Sequence, residues 1–128
     1  MNKTEKRYAD YLEIRKKAGE ILEYRFEPFK IRLAASTFYT PDFMVVLGAV
    51  VVGGCTINTV RVGLDADEWT ADELIAIELH EVKTEWKGRG VHWEDDARVK
   101  IKVAAEMYPW FVWKSVADTR EGWKVEEF

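Results

Sequence analysis

The chain has 128 residues, 48% hydrophobic and 33% charged, with six Trp and a net charge of −4, which suits one globular domain with its own core and excludes a disordered or fibrous chain. The negative balance excludes indiscriminate coating of nucleic acid, and the longest apolar run, residues 43–52, is about half of the ~20 residues a membrane span needs. A single cysteine, Cys55, excludes an intramolecular disulfide, no His or Cys cluster suggests zinc, and the charged start MNKTEKRYADYLE lacks the apolar centre of a signal peptide, so a cytosolic protein with no membrane contact is expected.

Asn2 and Glu5 have capping-box spacing ahead of Tyr8, Tyr11, Leu12 and Ala18, which form one helical stripe over residues 4–18, and Gly19 suits the position just past the helix end. Glu5 also lies on the side of that stripe, which turns it inward. Residues 21–26 alternate, and after Pro28 a second alternation runs through Phe29, Ile31 and Leu33. The change of phase at Glu27-Pro28 predicts a bulge or bend in one long strand, with Lys30 and Arg32 on its solvated face and a turn at residues 34–37. Residues 38–43 begin the next strand, with Pro41 near its start, and the run MVVLGAVVV continues it to a Gly53-Gly54 hairpin turn.

Residues 55–62 form the returning strand, and residues 63–70 a polar connection. In that connection Asp65 and Asp67 lack the Gly and terminal Glu of a calcium loop and read as solvated. Thr70 and Glu73 have capping-box spacing for one short helical turn, but residues 74–83 read as a strand. A loop over residues 84–93 carries Trp86, Lys87, Arg89, His92 and Trp93. Asp95 begins a second helix that runs to about Met107, with Ala97, Ile101, Ala104 and Ala105 inward and Arg98, Lys100 and Lys102 outward. Two closing strands follow Pro109, at residues 111–116 and 122–128, so the fold class is an α/β sandwich.

Chemistry concentrates at Leu79-His80-Glu81-Val82-Lys83. The period of two along a strand puts Ile75, Ile77, Leu79, Glu81 and Lys83 on one side, so an apolar face ends in a carboxylate and an ammonium. Partly buried, each favours its neutral form unless the two pair with each other or a metal ion joins them. On these residues alone, a strand edge running out into solvent stays open as a reading. His80 alternates away from Glu81 and is expected to be exposed, and His92 has no nucleophile beside it, so a Ser–His or Cys–His hydrolase is not supported.

Glu5, then Pro41-Asp42, then Glu81-x-Lys83 resemble, in this order, the PD-(D/E)xK nuclease superfamily. The stretches NKTEKRYADYLE, FEPFKIRLA, FYTPDFMV, ELHEVK and EDDARVKIKVAAEMYPWF are similar to a family of small phage and prophage proteins assigned to it. The resemblance covers most of the chain and fails at about residues 47–72, where the family has a short hairpin and this chain an additional ribbon. It implies a single nuclease-like domain over residues 1–128, with a central mixed or antiparallel sheet flanked by helices in the order αβββαβ.

It also implies that Asp42, Glu81 and the carbonyl of Val82 hold Mg²⁺ or Mn²⁺. Lys83 then positions the attacking water or neutralises charge on the phosphate, and Glu5 binds a second metal or a water of the first. The implied reaction is in-line hydrolysis of DNA that leaves a 5′-phosphate. By analogy with small phage resolvases, branched or junction DNA is the expected substrate, cut in the cytoplasm of a bacterial host during phage replication or recombination. Paired cuts would need a homodimer, for which the ribbon at residues 47–64 is a candidate element. Lys87 and Arg89, between Trp86 and Trp93, and the helix face of Arg98, Lys100 and Lys102 are the candidate DNA contacts, with ordinary solvated surface as the alternative. An Asx turn at Asp42 and a plain ion pair between Glu81 and Lys83 remain alternatives as well, and with them a catalytically silent binding module.

Overall fold

The computed structural model describes residues 1–52, 55–57, 71–84 and 95–128. In chain order the elements are α1 (Lys3–Lys17), β1 (Glu23–Phe26), β2 (Ile31–Ala34), β3 (Thr37–Tyr39), β4 (Phe43–Val52), β5 (Cys55–Ile57), β6 (Ala71–Thr84), α2 (Asp95–Met107), β7 (Val112–Thr119) and β8 (Gly122–Glu127). Five strands lie side by side as β1-β4-β6-β7-β8, with β5 paired to the far end of β4. Only the β6–β7 pair is parallel among these described strands, and its crossover contains α2, as a parallel connection requires. The protein is therefore α/β, a mixed sheet with two helices.

Local chemistry sets the first helix. The Asn2 side chain accepts from the Glu5 N–H at 2.8 Å while Glu5 Oε2 accepts from the Asn2 N–H at 2.8 Å, so the capping box closes in both directions. At the other end Arg15, Lys16 and Lys17 face the negative pole of the helix, and Gly19 takes a φ of 80°.

Two cores lie on opposite faces of the sheet. Under α1, Tyr8 and Leu12 pack with Ile21, Phe43, Val45, Val82 and Val116. On the other face, Leu79 and Trp113 pack with Ile101 and Ala104 of α2 and with Ile31, Leu33 and Tyr39 of the β2–β3 hairpin. Neighbouring positions of β6 thus serve different cores, Leu79 one and Val82 the other.

Two expected strands are divided. The segment with a bend at Glu27-Pro28 is two strands in different sheets, β1 on β4 and β2 on β3. Glu27 adopts a left-handed φ of 45°, gives its N–H to the Asp42 carbonyl at 2.8 Å, and ends the first pairing where Pro28 has no N–H to offer. Likewise the strand expected to begin at Phe38 is interrupted: β3 ends at Tyr39 and β4 begins at Phe43. The expected returning strand is present as β5 over Cys55–Ile57, while Gly53-Gly54, residues 58–62, the Asp65 and Asp67 connection and the loop carrying His92 lie outside the described residues. Ala71–Thr84 is strand, so the short helical turn that Thr70 and Glu73 would have capped does not form at Glu73.

Replacing the fully buried Leu12 by Ala is expected to cost about 2–5 kcal/mol. Ile14→Ala, at a side chain 66% exposed on the same helix, is expected to stay within about 0.5 kcal/mol in urea unfolding, because it leaves no cavity.

Candidate active site

The β4–β6 ladder runs unbroken through ten antiparallel pairs, from Val52↔Ala71 down to Phe43↔His80. The register ends at Phe43↔His80, so Asp42 and Glu81 are the next residue on each strand, and Glu81 follows Leu79 on the face away from α1. The additional segment between the two motifs leaves this pairing intact, since β4 and β6 are adjacent along their shared length. Pro41, fully buried, fixes the entry to β4. Beyond the last backbone pair the Asp42 side chain takes over as acceptor, its Oδ2 receiving the Val82 N–H at 2.8 Å.

Glu81 is buried and held at both oxygens: Tyr39 donates its hydroxyl to Oε2 at 2.6 Å, and Lys83 Nζ donates to Oε1 at 3.1 Å. Burial, then the charge of Glu81, push the Asp42 carboxyl up to about 7; Glu5 adds to the rise, while the Val82 N–H and Lys83 oppose it. Burial and the adjacent Glu81 likewise hold the Tyr39 phenol far above its usual range, so it stays a donor.

Glu5 approaches from α1. Thr4 meets Thr84 of β6 by a hydroxyl–hydroxyl bond at 2.8 Å, which fixes the first turn of the helix beside the end of that strand. Glu5, next in that turn, lies near enough for its charge to raise the Asp42 carboxyl, and Arg7 pairs with Asp118 of β7. Among the described residues no group of three or more His, Cys, Asp or Glu side chains is gathered to hold a metal ion. The neighbouring carboxylates Asp42 and Glu81 are of the hard, anionic oxygen type that could serve Mg²⁺ or Mn²⁺. The Val82 side chain lies in the core under α1, so only its backbone is available to the site.

The remaining candidates are dispersed. Lys87 and Arg89 lie outside the described residues. Arg98 sits beside β8, its Nη2 on Glu126 Oε1 at 3.2 Å and its guanidinium 5.5 Å from the Phe128 ring centre. Lys100 is half-buried and Lys102 exposed on the same helix.

Two features escape the sequence reading. Tyr39 is one; it belongs to a hairpin outside the main sheet, and the only sequence signal is an aromatic hydroxyl three residues before Asp42. The other is a correction: His80 is buried, not exposed, because α1 covers the face that strand alternation alone leaves to solvent. Tyr8 donates its hydroxyl to His80 Nδ1 at 2.7 Å, His80 Nε2 donates to Glu78 Oε1 at 2.9 Å, and Lys114 Nζ donates to Glu78 Oε2 at 2.6 Å.

Burial pushes the Glu78 carboxyl up, but hydrogen bonds from His80 and Lys114 hold it at about 2. Burial lowers His80, so the ring is neutral and the charge pair of this network is Glu78 with Lys114. The signal for it was two polar residues, Glu78 and His80, alternating on the strand face that a helix carrying Tyr8 has to cover.

Comparison with protein-family models, with curated proteins and with solved structures finds no match for this chain. No helix among the described residues is long and apolar enough to cross a membrane.

Asp42 carries a folded-state pKa of about 7 against 3.8 for a free side chain, so the folded protein binds the extra proton and loses stability as pH rises from about 4 to 7. Asp42→Asn is expected to gain on the order of 2 kcal/mol over wild type at pH 8 in metal-free buffer and nothing near pH 4, read by thermal unfolding across that range. Tyr8→Phe leaves His80 Nδ1 buried without a donor, with an expected loss of about 1–3 kcal/mol.

Proposed function

We propose that the protein is a Mg²⁺- or Mn²⁺-dependent endodeoxyribonuclease of the PD-(D/E)xK type, acting on branched or junction DNA in phage replication or recombination. The observation that carries this reading is the closeness of Asp42 to the Glu81-Val82-Lys83 stretch: Asp42 accepts the Val82 N–H at 2.8 Å and feels the charge of Glu81, to which Lys83 is bonded at 3.1 Å. The element order supports it. Helix, three antiparallel strands β1, β4 and β6, then a helix leading to a parallel fourth strand make the αβββαβ arrangement of such a core, with the β2–β3 hairpin, β5 and β8 as additions.

Asp42, Glu81 and the Val82 carbonyl would hold the cation. When bound, it supplies Lewis-acid activation of the phosphodiester and of the attacking water. The chain's own groups do the rest. The Asp42 and Glu81 pair concentrates negative charge that a cation would relieve in place of a proton on Asp42, and the Lys83 ammonium offsets charge that develops on the phosphate. Glu5, whose charge already reaches Asp42, would orient a water or second cation on the β4 side. DNA contacts belong to Lys87, Arg89, Lys100 and Lys102, with Arg98 available on exchange of Glu126 for a phosphate. A homodimer would place two such sites on opposite strands, and the protein would act in the cytoplasm of a bacterial host.

The second reading, a silent binding module on the same frame, is favoured only by the lack of a three-carboxylate cluster among the described residues. Cleavage assays on linear, single-stranded, flapped and four-way DNA with Mg²⁺ or Mn²⁺ separate the two. Wild type is expected to cut at least one substrate, and Asp42→Asn and Lys83→Ala to lose at least about 100-fold in rate while still binding it. Binding without cleavage under every metal condition would establish the silent module instead.

A further inference from the structure

We infer that Tyr39 is a positioning residue, which holds one oxygen of Glu81 and so fixes the orientation in which that carboxylate meets a divalent cation. This inference rests on the metal-dependent reading above and adds to it a residue outside the Asp42, Glu81 and Lys83 motif.

The two carboxylates of the site are anchored alike. Asp42 commits Oδ2 to the Val82 N–H at 2.8 Å, and Glu81 commits Oε2 to the Tyr39 hydroxyl at 2.6 Å. Each keeps its other oxygen, which in Glu81 is shared with Lys83 at 3.1 Å. The two donors on Glu81 differ in stiffness. Lys83 reaches it on a flexible four-carbon stem, whereas the phenol sits on a rigid ring with two torsions.

That ring has nowhere to turn. Tyr39 is 6% exposed, its backbone is paired with Ile31, and its ring centre lies 6.1 Å from that of Trp113 in the core shared with Leu79, Ile101 and Ala104. A 2.6 Å oxygen–oxygen separation is in the short range of hydroxyl-to-carboxylate bonds. The β2–β3 hairpin adds nothing to the main sheet, yet it delivers a fixed donor to Glu81. Outer partners that orient a ligand in this way typically carry about 10- to 100-fold in metal affinity.

The test is calorimetric titration of metal-stripped full-length protein with Mg²⁺ and Mn²⁺, with circular dichroism and melting on the same samples. Tyr39→Phe is expected to remain folded and to bind about tenfold more weakly or worse. Leu33→Ala, which loosens the same hairpin core without touching Glu81, is expected to melt earlier and to keep the wild-type Kd. Tyr39→Met fills similar space without a donor and must show the same loss, which keeps the test available if the Phe variant is unstable. An unchanged Kd in the Tyr39 variants, or an equal loss in Leu33→Ala, overturns the positioning role while leaving the metal site in place. A wild-type protein that binds neither cation overturns the metal reading and this inference together.

Discussion

Two like charges forced to face each other inside a covered sheet are the constraint from which the rest of this structure follows. Asp42 and Glu81 are brought close because each directly follows the last pair of the β4–β6 ladder, and a backbone ladder of ten pairs is far too strong to yield to repulsion between two side chains. What can yield is the surroundings. The Val82 N–H, the Tyr39 phenol and the Lys83 ammonium each remove part of the excess, and what they leave unrelieved shows in the raised Asp42 carboxyl. A rigid frame with helices over both faces is what lets the chain keep such an arrangement.

The two sides of β6 solve opposite problems with the same residue types. On the α1 side, Glu78 accepts from His80 and Lys114 and His80 accepts from Tyr8, so both oxygens of Glu78 and both ring nitrogens of His80 are engaged. Such a closed chain locks the helix onto the sheet. On the other side, three positions along, Glu81 is bonded to Tyr39 and Lys83 with the Asp42 carboxyl near it, and Asp42 is raised by that neighbour. Burial of polar groups therefore does not by itself mark a site: Glu78 and Glu81 are both buried in one strand, and they differ in whether a second carboxyl stands near.

Much of the frame is legible in the sequence, for reasons that are local. Asn2, Glu5 and Gly19 delimit α1 through their own hydrogen-bonding and φ preferences, and Asp95 to Met107 shows its apolar stripe at helical spacing. Asp42, Glu81 and Lys83 are legible as a group because motif order survives even where strand boundaries are misjudged. The break at Glu27-Pro28 shows as a change of phase, but that its two halves join different sheets does not, nor does the interruption at residues 40–42, because the choice of partner strand is not written in the alternation. His80 is hidden for a related reason: whether a strand's second face is wet depends on which helix packs there, and that is a tertiary fact. Tyr39 belongs to the same class, because its distance from Glu81 in space depends on how a separate hairpin is laid against the core.

The pairing of β4 with β6 also governs how this chain tolerates change in length. Between Ile57 and Ala71 the β4–β6 ladder makes no demand on the number of residues. Inside either strand the rule is the reverse. A single residue added among residues 43–52 or 71–80 would shift the phase and turn Asp42 or Glu81 to the side covered by α1. The sequence distance between the two carboxylates is thus nearly free to vary, while their parity is not.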